Sequence, residues 1–200
     1  MTSDKSAFQP PLIKMREWME TEKILGSANA DRVVLATCSP EGTPHSRIVA
    51  IREITSEGIL FFTQRSSRKV AELEHNPRAS MTLWLALQQR QVILDGIVKP
   101  LTNNENEKFW AALPRERQLR FSAYAPTSGQ VIDSLSVLED QLDALTKKFS
   151  GNEIPMSSHY CGFHLIAATM YFYTLGDNVF SESLKFERRQ NAWDKQLVSP

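Results

Sequence analysis

Between residues 31 and 101, strand-length apolar runs and turn residues alternate too closely for helical crossovers to fit between them. "DRVVLATC" leads to the turn "SPEGTP", "HSRIVAIREI" to "TSEG", and "ILFFT" to a helical pattern at 66–75; "ASMTLWLAL" and "RQVILDGIVKPL" follow. Bounded by Gly, Pro, Ser and Asn, these runs predict five or six strands with one helix inserted. Connections this short predict an antiparallel sheet or barrel rather than a βαβ sandwich.

The flanks are helical. In "LIKMREWMETEKIL", Leu12, Met15, Trp18, Met19 and Leu25 fall near one face, and Gly26 supplies a stop. "TNNENEKFWAALP" predicts a capped helix ending before Pro114. Over 128–151, Val131, Leu135, Leu138, Leu142 and Leu145 recur at spacings of three and four, which predicts a longer amphipathic helix closed by Gly151. "GFHLIAATMYFYTLG" and "SLKFERRQNAW" predict two closing strands. Residues 1–11 are polar and end in Pro10-Pro11, as a flexible arm would. Residues 12–200 show no composition break, so a single mainly β domain with helices, an α+β fold, is expected there.

Formal charge is zero, from 23 basic and 23 acidic residues, so no global field draws in nucleic acid or an acidic membrane, and any anion site must be local. Cys38 and Cys161 have no metal or redox spacing and are expected to be free thiols of a cytoplasmic protein. His45, His75, His159 and His164 lack metal-ligand spacing, so no metal is expected, and no serine or cysteine sits on a nucleophile elbow. No apolar signal core or membrane-length run is present.

A local anion site has one candidate. In "FFTQRSSRKVAELEHNP" a strand hands over to a helix through Ser66, Ser67, Arg68 and Lys69. One reading is a helix capped by Ser66 or Ser67, with two solvated cations. The other is a phosphate held by the helix start, where cations in the first turn otherwise oppose the dipole. The neighbouring run "SRIVAIR" adds Arg47 and Arg52; a hairpin of the two strands would bring Arg47 to Arg68 and Lys69. Three gathered cations repel one another unless an anion lies among them.

"SRIVAIR", "FFTQRSSRK", "NPRAS" and "RQVILDG", in that order and spacing, resemble the pyridoxamine 5′-phosphate oxidase family and its relatives, the flavin oxidases of phenazine biosynthesis. The resemblance implies a split β-barrel homodimer with FMN at the subunit interface. It implies that the strand Arg47, Ile48, Val49, Ala50 to Arg52 lines the flavin, with Arg47 on the phosphate. Phe62 and Thr63 would lie beside the cofactor, and Ser67, Arg68 and Lys69 would clamp its phosphate. Gln91 would touch the ring or its side chain, Thr127 and Ser128 would come from the other subunit, and Tyr173 would stand in for a Trp near the flavin.

The pattern departs from that family where the vitamin phosphate would bind. Arg52 stands for a strand Lys, and Phe109, Leu113 and Arg117 stand for Tyr, Arg and Ser. Val179, Ser181 and Ser183 in "VFSES" stand for two substrate-facing residues and a flavin contact. Two or three lost charged hydrogen bonds cost roughly 4–6 kcal/mol of affinity for a phosphate dianion. The expected substrate is therefore flatter, bulkier or less charged, bound at Arg52, Phe109, Leu113, Arg117 and Ser181, with Trp110 as a further wall and Arg115, Arg117 and Arg120 as a relocated anion contact. The resemblance implies an FMN-dependent oxidase or dehydrogenase acting on a phenazine-like or other small molecule. Alternatives are vitamin B6 salvage with a clamp rebuilt from Arg52, Arg115 and Arg117, and a non-catalytic flavin-binding module. No general acid or base is assigned.

Overall fold

The computed structural model describes residues 11–55, 58–176, 180–190 and 192–200. Its elements are α1 (Pro11–Ile24), β1 (Arg32–Cys38), β2 (Pro44–Ala50), β3 (Glu53–Ile54), β4 (Gly58–Gln64), α2 (Arg68–His75), β5 (Arg78–Leu85), β6 (Arg90–Pro100), α3 (Asn103–Ala111), α4 (Arg115–Tyr124), α5 (Ser136–Lys148), β7 (Tyr160–Thr174), β8 (Glu182–Arg189) and β9 (Ala192–Val198). The strands form one antiparallel sheet in the order β2-β1-β5-β6-β7-β4-β3. The long β7 pairs with β6 on one side; on the other, its first half takes β4 and its second half takes β8, which pairs with β9. This curled sheet is the split barrel.

The run 45–54, expected as one strand, is two. At its break the backbone changes partner: Ile51 N donates to Asp31 O, and Arg52 N donates to Leu60 O. β2 thus belongs to β1 and β3 to β4, and the β2–β4 hairpin expected from the sequence does not form. At the bulge between Asp95 and Gly96, a side chain at Gly96 would overlap the carbonyl of Ile166.

Pro11, expected in the arm, is the first residue of α1, where its missing N–H costs nothing; residues 1–10 lie outside the described residues. Leu12, Met15, Trp18 and Met19 are buried as predicted, whereas Leu25 lies past the helix and is 54% exposed. These α1 residues, with α2, close the main core around Leu35, Phe61, Met81, Leu94, Leu165 and Phe172.

A second core joins α3, α4 and the start of β7 through Trp110, Leu119, Phe121 and Tyr160. Helix α4 was missed in the sequence because its apolar face is interrupted by three arginines. Helix α5 begins at Ser136, not 128; Leu142 and Leu145 pack on the second core, but Val131 and Leu135, read as part of the same face, are exposed. The last predicted strand is also divided, at Gln190, which takes a positive φ.

The N-terminus of α3 carries the predicted cap as a full capping box: Thr102 Oγ1 accepts from Glu105 N, and the Glu105 carboxylate accepts from Thr102 N at 2.8 Å. Thr102→Ala is expected to cost about 1 kcal/mol, read as a lower urea midpoint at unchanged slope. Cys38 and Cys161 are free, and burial pushes the Cys161 thiol up to about 11. No described helix is long and apolar enough to cross a membrane.

Candidate functional site

The cations of β2 and α2 do converge, by a different route from the one predicted. Arg47 lies across β1: its Nη1 donates to Thr37 Oγ1 at 2.5 Å and to Leu35 O at 3.2 Å. Its Nη2 donates to Glu72 Oε2 at 3.2 Å. Glu72, only 3% exposed, also accepts from Thr37 Oγ1, lies 2.6 Å from His45 Nδ1 and 3.6 Å from Arg68 Nε. Lys69 Nζ donates to Thr63 Oγ1 at 2.9 Å and Ser67 Oγ at 3.1 Å. Burial, then the charge of Arg47, lowers the Lys69 pKa. Burial also lowers that of Arg47 against the hydrogen bond and charge of Glu72. Burial alone would raise the Glu72 pKa, but hydrogen bonds from Thr37, His45 and Arg47 outweigh it and hold the carboxyl below its usual range.

Ser67 is the N-cap of α2, but it makes no side-chain capping bond; its hydroxyl is taken by Lys69. The expected serine cap is therefore absent. Ser66 Oγ donates to Ala125 O at 3.5 Å instead. The first turn of α2 contains no acidic residue, so its leading amides point toward a cationic, uncapped end. Arg47, Arg68 and Lys69 against the single Glu72 carboxylate leave two positive charges, which balance a phosphate monoester carrying close to two negative ones. This donor set fits a phosphate.

On β4, Thr63 faces Lys69 while Phe62 and Gln64 face the other way, as alternation requires. Phe62 and Gln64 open on a cavity of about 330 Å³. Arg52, Arg117 and Arg120 line it together with Leu113, Tyr124 and Tyr160. The ring of Phe62 stacks on Tyr160 at 4.9 Å, and the absence of a side chain at Gly162 makes room for it. Burial pushes the Tyr160 phenol far up against the charge of Arg52, so the phenol stays protonated. Gln64 Nε2 donates to Tyr124 Oη at 3.1 Å, and Ser128 Oγ donates to Gln64 Oε1 at 3.3 Å.

Sequence reasoning placed Phe109, Trp110 and Arg115 at this cavity, and the structure does not. Phe109 packs on Phe62 at 5.1 Å and lines a separate cavity with His164. Trp110 is core. Arg115 is committed to the carbonyls of Phe149 and Asn152. It missed Glu72, Gln64, Tyr124 and Tyr160; the one signal was Tyr160, beside His159 at the mouth of β7. In the strand expected to line the flavin, Val49 is buried, Ala50 lines the cavity and Ile48 is 68% exposed.

Gln91 and Tyr173 are register partners at the far end of the sheet, with Ser183 next to Tyr173. Tyr173 Oη donates to Ser181 Oγ at 2.9 Å. Val179 lies outside the described residues. Along β7, Tyr173 is twelve residues from Cys161, the partner of Thr63. At about 3.3 Å per residue the strand separates these two groups by roughly 40 Å of contour. Thr127 and Ser128 instead sit by the cavity, Thr127 Oγ1 donating to Tyr124 O at 3.3 Å.

The sequence profile of the pyridoxamine 5′-phosphate oxidase family matches residues 20–148. The pyridoxine/pyridoxamine 5′-phosphate oxidase of Microcystis aeruginosa is 30% identical over 191 residues, 95% of this chain and 88% of its own length. That of Vibrio campbellii is also 30% identical over 191 residues, covering 95% and 89%. Among solved structures, PhzG of Burkholderia lata 383, in complex with tetrahydrophenazine-1-carboxylic acid, superposes with a TM-score of 0.86 at 23% identity, over 100% of this chain and 98% of its own. An FMN-binding, pyridoxamine 5′-phosphate oxidase-related protein of Nostoc punctiforme PCC 73102 gives 0.78 at 17% identity, over 97% and 99%.

Proposed function

The chain belongs to the pyridoxamine 5′-phosphate oxidase family, and on that premise we propose that it is an FMN-dependent oxidase or dehydrogenase of a flat, anionic small molecule other than pyridoxamine phosphate. The observation that carries this reading is the cavity beside Phe62. Its walls are aromatic and apolar at Phe62, Leu113, Tyr124 and Tyr160, and its four arginines, Arg32, Arg52, Arg117 and Arg120, outnumber its one carboxylate, Asp31, which pairs with Arg32 at 3.7 Å. Leu113 stands where the family resemblance implies a charged donor, and Phe109 lines another cavity. An aromatic acid suits such walls better than a compact phosphate ester does.

FMN, when bound, accepts the hydride. In our reading Arg47, Thr63, Ser67, Arg68 and Lys69 hold its phosphate, and Ile48, Val49, Ala50 and Arg52 flank its ring with Phe62. The cavity arginines then fix the acidic end of the substrate so that its reduced carbon faces the ring. The long contour of β7 between Cys161, the partner of Thr63, and Tyr173 supports a homodimer in which one copy adds Gln91, Tyr173 and Ser181 to the other's phosphate cluster. Exposed Ile48, Val34 and Trp84 on the outer sheet face suit such an interface. Thr127 and Ser128, expected from the second copy, already flank the cavity of their own chain. Free, buried Cys161 suits the reducing cytoplasm, and the fold likeness to PhzG suggests a biosynthetic role.

Anaerobic mixing tests the reading: a dihydroaromatic carboxylate is expected to bleach the bound flavin, and pyridoxamine phosphate is not. Arg117→Ala is expected to raise KM for that acid about tenfold with little change in kcat, the mark of lost uniform binding. The second reading, vitamin B6 salvage, is favoured by the 30% identity to pyridoxine/pyridoxamine 5′-phosphate oxidases. Efficient turnover of pyridoxamine phosphate would establish it in place of ours. A chain that takes up FMN which no candidate donor reduces would leave only the non-catalytic flavin-binding module.

A further inference from the structure

The phosphate cluster contains a group that works against its ligand. Glu72 is buried at 3% exposed and is shared by Arg47, Arg68, Thr37 and His45. Its carboxylate occupies the guanidinium edge of Arg47, a donor that a phosphate also seeks. Without a phosphate this carboxylate is the counter-charge that lets Arg47 and Arg68 approach Lys69. With a phosphate present, it is a second anion beside the first.

We infer that Glu72 is a built-in counter-anion that stabilises the flavin-free chain and weakens its hold on the cofactor phosphate, so that stability and FMN affinity are traded at one residue. The inference rests on the FMN site proposed above. It follows from linkage: a change that raises the free energy of the empty cluster more than that of the filled one must tighten binding by the difference. In Glu72→Gln the side chain keeps its shape and one carbonyl oxygen for Arg47 but loses its charge. The empty cluster then holds cations with no counter-charge. The filled cluster has the phosphate in that role and is freed of anion–anion repulsion.

The expected result has opposite signs in two measurements on the full chain. Glu72→Gln lowers the melting temperature without flavin and tightens FMN binding by at least about tenfold, below the roughly thousandfold that removing one unit charge at about 4 Å would give with an effective dielectric near 20. Riboflavin, which lacks the phosphate, gains nothing. Thr37→Val, which removes the hydrogen bonds to Glu72 and from Arg47 but no charge, lowers stability without tightening FMN binding. A purely structural Glu72 would lower stability and affinity together, so weaker or unchanged FMN binding in Glu72→Gln overturns the inference, as does an equal gain for riboflavin. Should the flavin-free variant fail to fold, excess FMN during refolding rescues it; a chain that stays unfolded with FMN overturns the inference. A wild-type chain that binds no FMN removes the proposed cofactor site itself, a different result from a variant that binds FMN less well.

Discussion

Lys69→Ala is expected to weaken FMN binding by about 10–100-fold while the fold stands. Lys69 stands in a half-buried site between Thr63 and Ser67, with Arg47 near enough to depress its pKa. Holding an ammonium there is unfavourable in the empty protein, so its removal relieves repulsion and leaves no buried partner charge orphaned. A charged hydrogen bond to a phosphate is worth about 1.5–3 kcal/mol, which sets the size of the loss through the usual factor of ten per 1.4 kcal/mol. Quenching of flavin fluorescence on titration measures it, and riboflavin serves as the control that should not respond. An FMN affinity equal to wild type would mean that these cations grip something other than the cofactor phosphate. Arg47→Ala is a poorer test, because it strips Glu72 of its closest cation and mixes an affinity effect with a stability effect.

Trp110→Ala carries the largest stability effect, about 3–5 kcal/mol. Trp110 is 3% exposed and touches the rings of Phe121 at 5.8 Å and Tyr160 at 5.1 Å. Its indole N–H donates to Ile154 O at 3.0 Å, a bond that alanine cannot replace. The carbonyl of Trp110 also accepts from Gln118 of α4, so the residue joins α3 to the helix that carries Arg117, Arg120 and Tyr124. For a domain of this size the loss corresponds to a fall of roughly 10 °C in melting temperature, read by calorimetry. Because the cavity wall rests on this core, KM for the proposed anionic substrate should rise as well. A melting point within about 2 °C of wild type would remove the second core as the support of the cavity.

Some of the site was legible because it lies within one stretch of chain. Ser67, Arg68 and Lys69 follow Phe62 and Thr63 by a few residues, and Lys69 does meet Thr63 and Ser67. Glu72 was not legible. In sequence it is one of two acids on a short polar helix, and nothing local distinguishes it from exposed Glu74. Its role comes from Thr37, His45 and Arg47, between 25 and 35 residues away, which reach it across β1. Arg115, Arg117 and Arg120 show the converse: three similar residues on one helix, of which two enter the cavity and one is spent on the end of α5. Only the packing of α5 against α4 separates them.

The places of the strand-forming runs, the tight turns between them and the buried face of α1 were fixed by the chain itself, because apolar periodicity and turn chemistry act over a few neighbours. Which strand pairs with which was settled in three dimensions. The backbone changes partner at Ile51 and Arg52, where one continuous β pattern feeds two different neighbours. The meeting of Arg47 with Glu72 was settled there too, since a buried charge and its counter-charge need to be close in space and have no reason to be close in sequence.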